Sequence, residues 1–302
     1  MNKITAIIPT FNRSVLLNRA IESVLSQTYG NLALRIYDNA SVDDTEQLVT
    51  SLMNTDSRVI YYKHVVNIGA MSNFTFAVDS QRIDTEFFCI LCDDDFLLPE
   101  FFKTAIGYLQ ENSDAMFCAL PVVVRNEKNG NEATRRFPSG YYEPPNGFAQ
   151  MITSLPPVLT GMLFRTSVLD KVGGFDAATG MSSDHEFEYR IAAHCAYVVS
   201  NDVVGGVCCY HGDTVTGNLA VADAMKNRMA TLKKIRDVFP VPCEMARWAI
   251  GVLKKRYARM IQKKMLKSFV TLHWKECMKI GRILMEFNRH TIFDTMDLEG
   301  RK

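Results

Sequence analysis

The chain has 302 residues, 47% apolar and 22% charged, enough for one large α/β domain with an appendage or two modest domains, and too apolar for a disordered chain. Its formal net charge of +1 hides a split. Residues 1–224 carry 15 Lys and Arg against 26 Asp and Glu, and residues 225–302 carry 19 against 7, so an acidic body is joined to a basic tail.

The eight cysteines are scattered, several inside apolar runs (Cys89, Cys118, Cys195). The Cys89/Cys92 spacing has no second pair to complete a zinc site, so reduced thiols in a cytosolic protein are expected. The chain starts on a strand-like run too short for a signal-peptide core, and no stretch offers roughly 20 apolar residues to span a bilayer. A cytoplasmic protein is the expectation.

In chain order, Ile4–Ile8 reads as a strand, Ser14–Gln27 as a helix with an apolar stripe at Val15, Leu16, Ile21, Val24 and Leu25, and Leu32–Tyr37 as a second strand. Asp43–Met53 (helix), Val59–Lys63 (strand), Ala70–Val78 (helix) and Phe87–Cys92 (strand) follow. This alternation predicts a mostly parallel sheet with right-handed crossovers. Pro99–Gln110 reads as a helix and Ala115–Val124 as a strand. Arg125–Gly147 reads as a long loop or hairpin, Pro157–Arg165 as strand-like, Asp184–Ala193 as a helix and Tyr197–Tyr210 as strand material. Beyond Ala222 the pattern is helical, which predicts an α/β region over 1–221 and a basic helical region over 222–302.

Polar clusters sit where strands end: Pro9-Thr10-Phe11-Asn12-Arg13, Asp38-Asn39-Ala40-Ser41, Asn67-Ile68-Gly69 with Asn73 beyond, and Asp93-Asp94-Asp95. In open α/β sheets ligands bind at this rim. Three adjacent carboxylates repel unless a cation lies among them, and a hard divalent ion gripping a ligand's phosphates would supply it. A solvated acidic turn before a helix is the alternative.

The run from Ala6 to Arg13, the run Tyr37–Thr45, the acidic triplet, Val172-Gly173-Gly174-Phe175-Asp176, and Ser183-Asp184-His185-Glu186 with Arg190 beyond together resemble a family 2 glycosyltransferase of the GT-A fold. The resemblance spans roughly residues 3–215 and implies that 1–221 is a GT-A catalytic domain, donor side about 1–98 and acceptor side about 99–221. Three positions depart from the family's usual pattern: Ser183 precedes Asp184, Cys92 stands where an Asp is common, and no Arg lies between Gly69 and Asn73.

The resemblance implies an inverting transfer of a sugar from a nucleotide-sugar donor to a glycan or lipid-linked glycan in bacterial surface polysaccharide synthesis. It implies that Asp95 ligates Mn2+ or Mg2+, with Asp93 and His211 as further metal-side residues, while Asp93 or Asp94 orients the ribose. Pro9, Thr10, Phe11, Asn12, Arg13, Asn67, Gly69 and Asn73 would line the donor. Asp38 would read the N3–H of a uracil or thymine, favouring UDP or dTDP. Asp184 is the expected general base, with Glu186 as the alternative and a helix cap as the structural reading of Asp184. His211 is otherwise structural or surface. A sugar-nucleotide pyrophosphorylase would need a glycine in the Pro9–Arg13 loop, which has none. A non-catalytic sugar-binding scaffold of the same fold is the other alternative.

Ala246–Val270 and Phe269–Phe287 read as basic amphipathic helices, the first with Ile250, Leu253, Tyr257 and Ile261 among Lys254, Lys255, Arg259 and Lys263. They predict peripheral contact with an anionic membrane through residues 246–290 or, equally, helices packed within the fold. No nucleic-acid-binding module is visible.

Overall fold

The computed structural model describes residues 3–79, 81–211, 220–270 and 278–285. The chain divides into two compact units: Met1–Ala177 with Phe187–Thr214, and Ala178–Glu186 with Val215–Lys302.

The first unit is built on an eight-stranded sheet. Strands β1 (Ile4–Thr10), β2 (Leu32–Asp38), β3 (Val59–Lys63) and β4 (Phe87–Ile90) are joined by helices α1 (Ser14–Leu25), α2 (Thr45–Met53) and α3 (Ala70–Ala77). All seven residues of β1 are buried, as expected of a strand covered on both faces. It pairs in parallel with β2 on one side and β4 on the other. The order β3-β2-β1-β4 therefore reverses direction between β1 and β4, and that reversal opens a crevice at their carboxyl ends. Helix α1 buries Leu17, Ala20, Ile21 and Val24. This i, i+3, i+4, i+7 face is rotated from the expected stripe and leaves Val15 exposed.

Beyond β4 come the two-residue strand β5 (Phe96–Leu97) and helix α4 (Phe101–Glu111). The expected strand Ala115–Val124 is two strands, β6 (Phe117–Ala119) in the large sheet and β7 (Val122–Asn126) in a second, four-stranded sheet. Pro121, with no N–H for a ladder, marks the switch. The stretch expected as a loop or hairpin holds β8 (Glu132–Arg135), paired antiparallel with β7, and β9 (Gly140–Tyr142).

Helix α5 (Asn146–Thr153) follows, and then the strand-like run divides into a 3-10 turn (Leu159–Gly161) and β10 (Met162–Arg165). Strand β10 lies antiparallel between β4 and β6. Helices α6 (Ser167–Val172) and α7 (Ser183–His194) precede β11 (Tyr197–Val199) and β12 (Gly206–Tyr210), the two parts of the expected Tyr197–Tyr210 strand. The second sheet runs β5-β12-β7-β8.

The second unit holds α8 (Val221–Asp237) and α9 (Cys243–Val270). Segment Ala178–Glu186 groups with these helices, so the first unit is interrupted in sequence. Within this unit Lys234 Nζ lies 2.8 Å from Glu186 Oε1, tying the segment down. The apolar stripe of α9 (Ile250, Leu253, Tyr257, Ile261) is buried, with Arg228 of α8 over the Tyr257 ring. Of the second expected amphipathic helix, residues 271–277 (with Trp274) and 286–287 lie outside the described residues, and 278–285 are helical. No helix among the described residues is long and apolar enough to cross a membrane.

Candidate active site

At the crevice between β1 and β4 the end of each strand contributes to one polar network. Thr10, the last residue of β1, donates its hydroxyl to Asp93 Oδ2 at 2.8 Å. Arg13 Nη1, from the loop before α1, lies 3.0 Å from Asp93 Oδ1 and 3.1 Å from Asp94 Oδ2. Burial would lower the Arg13 pKa, but Asp93 and Asp94 outweigh it and raise it. The loops after β1 and β2 are zipped together: Asn12 N–H donates to Ser41 Oγ, Val42 N–H to Asn12 Oδ1, and Asn39 N–H to the Thr10 carbonyl. Two non-glycine residues here have left-handed backbone, Asn12 (φ 52°) and Ala40 (φ 65°). Pro9 is buried within β1 and Phe11 is exposed at the rim.

The acidic turn is almost entirely removed from solvent, with Asp93, Asp94 and Asp95 exposed by 6%, 9% and 3%. Asp95 accepts the Cys209 backbone N–H at 2.8 Å on Oδ1 and the Thr160 hydroxyl on Oδ2. The antiparallel pairing of β5 with β12 brings Cys209 there. Gly161, whose Cβ would fall 2.4 Å from the Leu120 carbonyl, lets the 3-10 turn carrying Thr160 come close. Burial pushes the Asp95 pKa up to about 7, and the charge of Asp94 adds to this against the Thr160 hydrogen bond. Burial raises Asp93 as well, against the opposing charge of Arg13.

His211, just past β12, places Nε2 2.9 Å from Asp94 Oδ2. Sequence reasoning missed Arg19 on α1. Its guanidinium donates to the Asp94 carbonyl at 2.5 Å, pairs with Glu127 at 2.6 Å, and lies over the Phe96 ring. Thr160 and Cys208 were missed too, because their nearness to the triplet arises only from strand pairing.

A cation fits this turn. Cys92 Sγ and one carboxylate oxygen each from Asp94 and Asp95 lie within 4.8 Å of one another, and Arg13 offsets only part of three buried carboxylates. Asp93, expected on the metal side, is not in that group; its two oxygens accept from Thr10 and Arg13. All seven cysteines among the described residues are free thiols.

Other expected donor-side residues serve as scaffold. Asp38 is fully buried. Its Oδ1 takes the Ser41 N–H and hydroxyl and its Oδ2 the Tyr61 hydroxyl at 2.6 Å. It therefore presents no exposed oxygen to a base, contrary to expectation, and instead shapes the loop after β2. Asn73 is buried, donating to the Tyr37 carbonyl and contacting His64 Nε2. Asn67 Oδ1 accepts from Asn39 Nδ2 and Gly69 N–H, the latter at φ 89°.

The Gly-Gly-Phe-Asp segment is held by Arg190, which donates to the Val172 and Gly174 carbonyls. Asp184 lies in the first turn of α7, half-buried, with Oδ1 accepting the His185 N–H at 2.7 Å. Glu186 is fully buried against Lys234. Asp184 and Glu186 belong to the second unit and the acidic turn to the first.

The family model described as "Glycosyl transferase family 2" matches residues 5–173. A GalNAc(5)-diNAcBac-PP-undecaprenol beta-1,3-glucosyltransferase of Campylobacter jejuni is 34% identical over 134 residues, 43% of this chain and 41% of that protein. The abequosyltransferase RfbV of Salmonella typhimurium is 32% identical over 115 residues, 37% of this chain and 34% of that one. The chain covers half or less of the length of the first curated relatives it matches, at 41%, 26% and 50%.

Among solved structures, S. aureus TarS 1-349 in complex with UDP-GlcNAc superposes with TM-score 0.69 at 14% identity, covering 96% of this chain and 92% of that one. A mannosyltransferase from Pyrobaculum calidifontis in complex with GDP-Man and Mn2+ gives 0.56 at 14% identity, covering 96% and 87%. These likenesses establish the GT-A-like α/β fold. With more than half its length matched by the family model and the rim motifs gathered at one crevice, the chain belongs to glycosyl transferase family 2.

Proposed function

We propose that this chain is a metal-dependent, inverting glycosyltransferase that moves a sugar from a nucleoside-diphosphate donor to a hydroxyl of a glycan or lipid-linked glycan in bacterial surface polysaccharide synthesis. One observation carries the reading: Thr10 at the end of β1, Arg13 in the loop after it, the triplet Asp93–Asp95 after β4 and His211 after β12 converge at the β1/β4 crevice. The names of the Campylobacter and Salmonella relatives, both sugar transferases, support the class, and the Campylobacter name, with its PP-undecaprenol, supports a lipid-linked acceptor. The UDP-GlcNAc and GDP-Man complexes of the fold relatives support a nucleotide-sugar donor.

Asp94 and Asp95, with Cys92 beside them, would hold a Mn2+ or Mg2+ ion that neutralises the leaving diphosphate as a Lewis acid. Thr10 and Arg13 fix Asp93, and Arg19 fixes the backbone of Asp94, so the turn keeps its shape while charge builds on the donor. Asp184 takes the proton of the attacking hydroxyl. Its half-exposed carboxylate favours this role over the buried Glu186.

Nucleotide release from a panel of sugar nucleotides with Mn2+, lost in EDTA, tests the reading, and full turnover in EDTA would refute the metal role. Asp184→Asn should lower transfer by about 10²-fold or more with donor binding unchanged. Product NMR should show an inverted anomeric centre, and loss of activity in Glu186→Gln but not Asp184→Asn would reverse the assignment.

The reading includes work at the cytoplasmic face of a membrane. With the apolar stripe of α9 buried, the face left to solvent carries Trp248, Lys255, Arg259, Lys263 and Leu266, a basic surface with apolar side chains suited to anionic headgroups. Salt-sensitive binding of the full chain to phosphatidylserine vesicles tests it, and indifference to them at low salt would refute it.

A further inference from the structure

The cation site carries a sulfur. Strand β4 ends at Ile90, and the chain turns through the buried Leu91 to Cys92, which keeps some exposure to solvent at the head of the acidic turn. The Cys92 thiol sits with one oxygen from each of Asp94 and Asp95 inside a 4.8 Å span. Ligand bonds of about 2.0–2.3 Å to three such donors need only small side-chain adjustment.

The surroundings are also soft. Pairing of β5 with β12 brings a second thiol, Cys208, near the Asp95 carboxylate. His211 Nε2 lies on Asp94. Two carboxylates with one thiol facing them, and a thiol and an imidazole behind, do not make the all-oxygen cage that a hard cation selects.

Resting on the reading of this turn as a cation site, we propose that Cys92 is a direct sulfur ligand of the bound ion. The site then prefers thiophilic divalent cations, Zn2+, Co2+ or Cd2+, over Mg2+, with Mn2+ accommodated mainly by the carboxylates. Ligation forms one metal–sulfur bond and breaks the S–H bond, and the proton leaves to solvent. Direct ligation by Cys92 ties ion selectivity to this one side chain. A zinc ion competing for the site would then displace the harder ion.

The test uses the full chain, freed of metal and titrated with Co2+ while near-ultraviolet absorption is followed. Mn2+ binding is measured separately from the EPR signal of the free aqua ion. The wild type should develop a sulfur-to-cobalt charge-transfer band. Cys92→Ser should lose the band, keep its thermal melt and its Mn2+ binding, and bind Zn2+ about 10–100-fold more weakly. Cys208→Ser should keep the band. If Mn2+ binds but the wild type shows no sulfur band, or the band survives in Cys92→Ser and vanishes in Cys208→Ser, the proposal is overturned while the cation reading stands. If neither Mn2+ nor Co2+ binds, the cation reading itself falls and this proposal with it.

Discussion

Replacing Asp95 by Asn should make the metal-free protein more stable while removing its affinity for a cation. The Asp95 carboxyl is raised from 3.8 to about 7 in the folded protein, chiefly by burial. The fold thus holds this proton more tightly than the unfolded chain does. The stability associated with it is fully present at low pH and is lost as pH rises through about 7. At 1.36 kcal/mol per pH unit, the full penalty on the ionised form is about 4 kcal/mol. Asn keeps an acceptor for the Cys209 N–H and contact with the Thr160 hydroxyl, but has no charge to bury. The advantage of Asp95→Asn over wild type in EDTA should therefore grow by about 2–3 kcal/mol between about pH 5 and pH 8.5, or roughly 5 °C in melting temperature for a chain of this size. Thermal melts across that range provide the assay. Adding Mn2+ at the upper end should raise the wild type and leave the variant unmoved. A stability gap independent of pH would refute the assignment of the buried charge to Asp95.

Two further substitutions probe the scaffold. Ala40→Gly relieves a left-handed residue at φ 65°. That conformation costs an L-residue about 1–2 kcal/mol, of which glycine's freedom in the unfolded chain returns about half, so a gain of about 0.5–1 kcal/mol in denaturant titrations is expected; a loss would show that the methyl group packs usefully. Lys234→Met strips the buried Glu186 of its ion pair and should destabilise by about 3–5 kcal/mol, with Glu186→Gln in the same chain restoring most of it. A double-mutant cycle without coupling would mean that the two side chains act independently.

Features set by local sequence were legible before the fold was known. Strands β1, β2 and β4 are covered on both faces, so their apolar runs stand out, while the edge strand β3 leaves Ile60 and Tyr62 exposed; the polar residues ending these strands mark the rim without any knowledge of the fold. Chain switching between sheets was harder to see. Pro121 divides one expected strand into two, and β10 inserts antiparallel between β4 and β6 although its sequence, Met-Leu-Phe-Arg, carries no sign of direction. Site residues followed the same division. Thr10, Arg13 and the Asp triplet belong to short motifs, whereas Thr160, Arg19 and Cys208 acquire their partners only through pairings far along the chain. Asp38 and Glu186 illustrate another limit: a carboxylate in a motif reads as available, and only the surrounding Ser41, Tyr61 and Lys234 reveal that it is engaged.

The contacts that complete the acidic turn also set a timetable for the nascent protein. Asp95 meets the Cys209 backbone across 114 positions and Asp94 meets His211 across 117. At translation rates of about 5–20 residues per second, the carboxylates emerge on the order of ten seconds before their partners exist. Strands β1 to β4 can pair in that interval, as their contacts lie within the first hundred residues. The buried electrostatics that would set the grip on a nucleotide come into being only when β12 docks beside β5. Binding competence is therefore the last property this unit acquires during synthesis, and a chain halted before Gly206 has the crevice but not the carboxylate environment that defines it.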